Sequence, residues 1–393
     1  MTEGGQSGTS NAERAMTSDR NGAAAAGRRS WDTWPTYDAA ALGLRNYWYP
    51  VAWSARVGRR AQGVILLGEK VMLVRDRDGK VRALANRCPH RGVPLSLGKQ
   101  EAPGTWSCRY HGWTYDLADG TMVACLTDGP DSPLLGKVRV PTFPVAERLG
   151  LVWVFFASPD WQGPPPPVEV DIPEELLANP VSLGGRISER GGNWRYAAEN
   201  GFDEGHAKYL HRDALWTLFR HLPAYNRASV VPSEDGQWIT RVPRDVALEA
   251  DYPVVGHWPP RPFWKRGGRG PVCSIRLPGT LRIDYGAWTH YEWYVPTTEA
   301  RHRYVQVAAK RTSGLDAVAF RARYAAYIRW VFHKHFNDQD ATMVETMDIP
   351  PERLYRPDVS IIAWRKLCET ARGVARPSAP IGVTHEHDIE EDT

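Results

Sequence analysis

The sequence predicts an α+β protein, with an all-β domain followed by a mixed domain of helices and hairpin-paired strands. Three observations predict it. Residues 44–160 set strand-like apolar runs around Asp-Gly turn signals. The segment "GPPPP" at 163–167 breaks all regular structure and marks a boundary. Beyond it, a stretch of helix formers at 193–211 precedes strand-like runs at 272–310 and a helical period at 315–335. A chain of 393 residues with 42% hydrophobic content can bury two cores.

Each element has its own signal. Residues 1–30 are rich in Gly, Ala, Ser and Thr and have no apolar h-region, so they read as a disordered tail. The Arg28-Arg29 pair among them is not expected to direct export. "VILLGEKVMLVRDRDGKVRALANR" reads as two strand-like runs joined at Asp78-Gly79. "GTWSCRYHGWTYDLADGTMV" repeats the pattern with a turn near Asp119-Gly120. "LGLVWVFFA" at 149–157 is far too short to cross a bilayer and reads as a buried strand. "NWRYAAENGFDEGHAKYLH" at 193–211 mixes helix formers with Gly201 and Gly205. "HYEWYVP" and "RYVQVAAK" flank a short polar turn and predict a hairpin. Phe320, Tyr324, Tyr327, Ile328 and Val331 follow helical spacing, with Ser313 and Asp316 placed to cap the start. His333 and His335 then fall at a helix end, as solvated or dipole-pairing residues. The tail "THEHDIEEDT" is acidic, and His385 and His387 in it are not expected to be ligands. The divisions are 1–42, a disordered tail and N-terminal arm; 43–162; 163–375; and 376–393, a disordered acidic tail.

Composition narrows the function. Lys plus Arg exceed Asp plus Glu by four, so nucleic acid is not expected as a partner, and neither is a membrane. Seventeen Trp suggest deep aromatic packing, around the core or an apolar ligand. Five Cys do not form a disulfide framework. Cys125, Cys273 and Cys368 read as buried free thiols, and the compartment expected is the cytoplasm.

Cys88 and Cys108 are different. They stand in "CPHRG" and "CRYHGW", each beside a histidine: Cys88-x-His90 and Cys108-x-x-His111. Thiolate and imidazole at such spacings hold zinc or an iron–sulfur cluster. A zinc finger shows close Cys pairs and close His pairs. Here each half offers one of each, which suits a binuclear cluster with two Cys on one iron and two His on the other. Neutral imidazoles in place of thiolates favour the reduced state. They raise the potential from roughly −400 mV to between about −150 and +300 mV. Gly92 and Gly112 follow the histidines and permit tight loops. Arg91 and Arg109 beside the ligands read equally as solvated arginines or as contacts for an acidic carrier.

A one-electron relay needs an acceptor. Residues 193–211 carry Glu199, Asp203, Glu204, His206 and His211, and "FNDQDATMVE" carries Asp338 and Asp340. Two His and a carboxylate on one side of an iron, with open positions opposite, let O2 and substrate meet. On an ideal helix His206 and His211 point roughly 140° apart, so the helix must end, bend or bulge between them. Asp203, three before His206, is better placed to hold its N–H than to be the third ligand.

The patterns C-x-H-R-G and C-x-Y-H-G-W resemble the Rieske ferredoxin motif. With the second cluster of residues, the chain resembles the terminal-oxygenase subunit of Rieske non-heme iron ring-hydroxylating oxygenases over residues 43–375. The resemblance places Cys88, His90, Cys108 and His111 on the [2Fe-2S] ligands, in a Rieske domain at 43–162. Asp203, His206 and His211 fall on its D-x-x-H-x(3–4)-H pattern and Asp340 on its D-x-x-x-x-E segment, within a mononuclear Fe(II) domain at 163–375. "LGLRNYWYPVAWS", "RGVPLSLGK", "HGWTYDLADG", "NWRYAAENGFD", "EWYVP" and "AWRKL" are similar to the carbazole-dioxygenase group of that family. Residues 212–270 depart from that pattern. The resemblance implies a helix-grip catalytic domain with an antiparallel sheet and a homotrimer without a small β-subunit. It implies O2 as co-substrate and electrons from NAD(P)H through a ferredoxin reductase and a ferredoxin. The expected reaction is carbazole-type dihydroxylation of a polycyclic or nitrogen-containing aromatic. Monooxygenation or O/N-demethylation on the same scaffold is the alternative. A pure electron carrier would leave the C-terminal half unexplained.

Overall fold

A computed structural model describes residues 33–178, 180–203, 205–218, 220–258, 266–267, 271–348 and 352–374. The expected tails at 1–30 and 376–393, Glu204, and most of "PPRPFWKRGGRG" lie outside the described residues.

The first domain is all-β, as its turn signals predict. Gln62–Leu66, Glu69–Arg75, Val81–Ala85 and Thr142–Phe143 form one sheet. Tyr47–Trp53, Leu151–Phe156 and Val145–Arg148 form a second, and Thr105–Ser107, Trp113–Asp116 and Met122–Cys125 a third. The stretch read as two runs about Asp78-Gly79 is three strands. Leu67 and Gly68 both have positive φ, 50° and 79°, and turn an extra hairpin that apolar periodicity alone conceals. Leu151–Phe156 is buried at every position, as its unbroken apolar run predicts.

The second domain is a seven-stranded antiparallel sheet. Its order is Val181–Gly191, Arg301–Arg311, Thr289–Thr298, Thr280–Asp284, Val272–Arg276, Trp238–Ala247 and Tyr225–Pro232. The predicted hairpin forms its second and third strands, with Tyr294 facing Tyr304 and Glu292 facing Gln306. Helix Trp194–Phe202 lies against the sheet, started by the Asn193 side chain, which accepts from Arg195 N at 3.0 Å. The expected amphipathic helix is longer than its apolar spacing suggests. It runs unbroken from Gly314 to Thr346 and contains two π segments, Tyr324–Ile328 and Val331–Phe336. Ser313 makes no side-chain cap, and the Asp316 carboxylate accepts from Lys310 Nζ at 3.2 Å instead of reaching back to it. His333 is not at a solvated helix end: it is fully buried.

The chain between the two sheets turns back on the first. Trp48 donates through its backbone N to Asp171 Oδ2 at 2.8 Å and through Nε1 to the Pro166 carbonyl at 2.9 Å. One apolar core runs across both sheets, with Trp153 edge-on to Trp293 at 5.8 Å. Trp106, Trp153, Trp194 and Trp364 are fully buried there and in the cluster domain. Among the described residues no tryptophan lines the cavity described below. The arm from residue 34 is docked rather than loose: Trp194 Nε1 donates to Ala40 O at 2.7 Å, and Arg195 Nη1 to Tyr37 O at 2.7 Å. Cys125, Cys273 and Cys368 are buried free thiols. Among the described residues no helix is long and apolar enough to cross a membrane.

Candidate active site

Cys88 and Cys108 open two loops of one design. In the first, Gly92 N donates to Cys88 O at 2.9 Å and Cys88 N to Val93 O at 2.9 Å. In the second, Gly112 N donates to Cys108 O at 3.0 Å and Cys108 N to Trp113 O at 2.8 Å. Gly92 and Gly112 supply the positive φ, 72° and 66°, that each turn requires. The two loops face each other across a small cavity lined by Cys88, His90, Cys108 and His111. The thiols are buried, whereas His90 is exposed and stacks on Trp113 at 4.7 Å. The two imidazoles lie 4.6 Å apart. His111 Nδ1 is buried without a hydrogen-bond partner, which is the state of a nitrogen with its lone pair directed at a metal. Tyr115 OH reaches Cys88 Sγ at 3.3 Å. Hydrogen bonds to sulfur are among the levers on cluster potential.

The second cluster assembles from two elements. The helix ends at Phe202, with Asp203 already extended, and a single new turn at Ala207–Leu210 lies between His206 and His211. The break that their five-residue spacing demands is therefore present. Asp203 and His206 do not share the helix face on which their three-residue spacing alone would place them. Asp203 instead accepts from Gly205 N at 2.7 Å and His206 N at 3.3 Å, and it stands 3.4 Å from His206 Nδ1. His211 Nδ1 meets Gln339 Oε1 at 2.8 Å. An amide oxygen only accepts, so Nδ1 carries the proton and Nε2 keeps its lone pair. His206 Nε2 and His211 Nε2 lie 3.2 and 3.1 Å from Asp340 Oδ1. His211 Nε2 is nevertheless buried with no hydrogen bond. This donor set, two imidazole Nε2 atoms and one carboxylate, fits a mononuclear iron.

Asp338 is not part of that set. Two positions on a helix is a rotation of about 200°, and Asp338 pairs instead with Arg190 at 2.5 Å. Glu199 is also elsewhere, buried against Arg365 at 2.6 Å. Burial alone would raise the Asp340 carboxyl, but His206 and His211 hold it well below the usual range. Burial works against the charged His206 ring, yet Asp203 and Asp340 raise its pKa to about 10. The pocket is thus electrostatically built for a cation at its centre.

Three neighbours escaped the sequence reading. Gln339 sets the His211 tautomer, Asn200 Nδ2 donates to Asp340 Oδ1 at 3.1 Å, and Phe336 stacks on His211 at 3.6 Å. Gln339 lies between the aspartates and Phe336 four residues before Asp340, so a helical wheel through Asp340 would have brought Phe336 into view.

A cavity opens beside His206 and Asp340. Ile283, Tyr285, Phe336 and Val344 give it apolar walls, while Glu292, Tyr294, Tyr304 and Asn337 give it a polar floor. The enclosed space is about 70 Å³, widening to about 550 Å³ when its open mouth is included. Burial would raise Glu292, but hydrogen bonds from His290, Tyr294 and Tyr304 keep it a carboxylate.

A Cys2His2 cluster site in a small β domain, joined to a two-histidine, one-carboxylate pocket against an antiparallel sheet, defines a Rieske-type non-heme iron oxygenase. The sequence matches the Rieske [2Fe-2S] domain over residues 47–144. It matches the homotrimeric ring hydroxylase family over residues 159–226 and 266–375. The chain belongs to this family of homotrimeric ring hydroxylases. It is 34% identical to the terminal oxygenase component of carbazole 1,9a-dioxygenase from a Sphingomonas species, over 86% of this chain and 94% of that one. The fold is similar to that oxygenase type in its reduced complex with ferredoxin, with a TM-score of 0.76, 29% identity, and 90% and 96% of the two chains covered. It is also similar to the 2-oxoquinoline 8-monooxygenase component, with a TM-score of 0.79, 29% identity, and 91% and 93% covered.

Proposed function

We propose that the chain is the terminal oxygenase of a dioxygenase system that adds O2 to a polycyclic, nitrogen-containing aromatic of the carbazole type. The observation that carries this is Asp340 Oδ1 within 3.2 Å of both His206 Nε2 and His211 Nε2, at the edge of an aromatic-walled cavity. Cys88, His90, Cys108 and His111 would hold the [2Fe-2S] cluster, and His206, His211 and Asp340 the iron. When bound, the cluster supplies electrons singly and the iron activates O2. The chain's own part is positioning. Gln339 and Asp203 hold the imidazole protons on the far nitrogens. Tyr285 and Phe336 give a flat substrate ring faces to lie against. The polar floor suits a heteroatom or ring N–H.

The division near 163 between a cluster domain and a catalytic domain, and a cytoplasmic setting in which all five cysteines stay reduced, belong to this reading. Electrons would reach the cluster from NAD(P)H through a reductase and a ferredoxin. A second reading, monooxygenation, is favoured by the likeness to the 2-oxoquinoline enzyme. The test is metal analysis with product analysis under isotopically labelled O2 on a panel of tricyclic aromatics. About three irons per chain and two labelled oxygens in the product are expected. One labelled oxygen selects monooxygenation, and about two irons with no product leaves only an electron carrier.

A further inference from the structure

One buried file of side chains has no part in holding either metal. Glu292 lines the cavity beside His206 and Asp340. Its Oε1 lies 2.7 Å from His290 Nε2. His290 Nδ1 lies 3.1 Å from His333 Nε2. His333 Nδ1 lies 3.2 Å from Tyr324 OH. Glu292, His290 and His333 are 3%, 2% and 0% exposed, and Tyr324 is half-buried. The file therefore leads from the cavity towards solvent in three hydrogen bonds, with both nitrogens of each ring spent along it.

The fold is shaped to make this file. Tyr324 and His333 are nine residues apart, which on a regular α-helix puts them on opposite faces. The two π segments unwind the helix between them, so that both side chains meet. The Tyr324 ring lies over Gly184, where a Cβ would come within 2.4 Å of it. Two imidazoles buried in series cost desolvation that an apolar packing would avoid. Arg186 donates to the His333 carbonyl at 2.5 Å and disfavours a resting imidazolium there. The arrangement suits neutral rings that pass a proton on rather than store it.

We propose that Tyr324, His333, His290 and Glu292 form a proton relay that feeds the oxygenation pocket. The proposal rests on the oxygenase reading. Joining one aromatic C=C with O2 to give a vicinal diol takes two electrons and two protons. The electrons come through the cluster, and the protons must enter from solvent. Monooxygenation, which yields one hydroxyl and one water, needs the same two. In one passage the Tyr324 O–H gives its proton to His333 Nδ1 and regains one from solvent. The His333 Nε2–H passes to His290 Nδ1, and the His290 Nε2–H passes to Glu292 Oε1. At each nitrogen one N–H bond forms as the opposite one breaks. Glu292, now a carboxylic acid at the cavity wall, releases the proton to the oxygen atoms that end as product hydroxyls. The rings return to Nε2–H before the second proton follows.

Tyr324→Phe keeps the ring on Gly184 and removes only the outer hydroxyl. Its product formation is expected to fall about a hundredfold, with partial rescue by added imidazole and with iron content, cluster spectrum and Tm unchanged. Gly184→Ala, which displaces the same ring, should show the same rescue. Neutron diffraction from crystals in D2O gives a readout free of turnover: deuterium is expected on Nε2 of both His290 and His333. Wild-type turnover in Tyr324→Phe, loss without rescue in both variants, or no proton between the two rings overturns the relay alone. Failure of the wild-type enzyme to oxygenate any aromatic overturns the oxygenase reading and the relay with it.

Discussion

Asp338 and Asp340 are indistinguishable in sequence, two acidic residues with one Gln between them, and the register of one helix separates them. Asp340 faces both imidazoles, whereas Asp338 faces Arg190 and Arg186. Asp340→Ala is therefore expected to lose the mononuclear iron while the visible spectrum of the cluster persists, and Asp338→Asn to retain both. Iron analysis beside absorption spectra checks the pair, and retained iron in Asp340→Ala would move the carboxylate ligand elsewhere. The cluster loops were fully legible, because Cys, His and Gly at fixed offsets encode both the ligand and the turn. His302 was not legible, because nothing local marks a β-strand histidine as buried. Burial lowers its pKa to about 4, although Gly192 O accepts from Nδ1 at 2.9 Å. The unfolded ring titrates near 6.5. Between those values the unfolded chain binds a proton that the folded ring refuses, so stability is present above about pH 6.5 and is lost as pH falls towards 4. The full effect is about 3 kcal/mol. His302→Gln, which keeps a donor for Gly192, should unfold with a flatter pH dependence over that window in denaturant titrations. A slope equal to wild type would refute the assignment.

At the scale of elements, strands and their turns were easier to read than the helices that carry the site. Asp78-Gly79 and Asp119-Gly120 turn hairpins as their dipeptides dictate, but Leu67-Gly68 carries no such mark and hid a strand boundary. The π segments were invisible, because apolar residues three and four apart satisfy a π turn almost as well as an α turn over so short a span. Helix Trp194–Phe202 depends on a close approach that sequence cannot show. At Gly201 a Cβ would lie 2.0 Å from Tyr294 OH and 2.9 Å from Leu281. Tyr294 is itself bonded to Glu292 on the cavity floor. Gly201→Ala must therefore lift the helix or move the floor. It is expected to lose about 1–3 kcal/mol of stability and to weaken substrate binding, with the cluster spectrum intact. Calorimetry and substrate titration measure both, and wild-type values in each would show that the helix has room to spare.

At the scale of the whole molecule, the burial of the four cluster residues would decide how electrons travel. Cys88 and Cys108 pack into the interior of their domain with Trp106 and Tyr115, while His90 is exposed. A cluster held by these residues would have its histidine edge as the electron exit, on the side where His90 is exposed. In a homotrimer with head-to-tail contacts, that edge can meet the catalytic domain of the next subunit, and such a heterologous interface closes by rotation. Asp203 is the residue suited to receive it. It ends the helix, holds His206 through two contacts and Gly205 through a third, and retains partial exposure of its carboxylate. Asp203→Asn keeps the size, removes the charge and turns one acceptor into a donor. It is expected to keep both metals and lose most turnover, because the path from His90 or His111 to His206 then lacks its anionic bridge. A merely structural Asp203 would cost stability and leave the transfer rate alone. Rapid mixing of the reduced, substrate-bound protein with O2 separates these outcomes. Slow reoxidation of the cluster at full iron occupancy supports the bridge. Reoxidation at the wild-type rate in a fully loaded variant would mean that electrons reach His206 by another route.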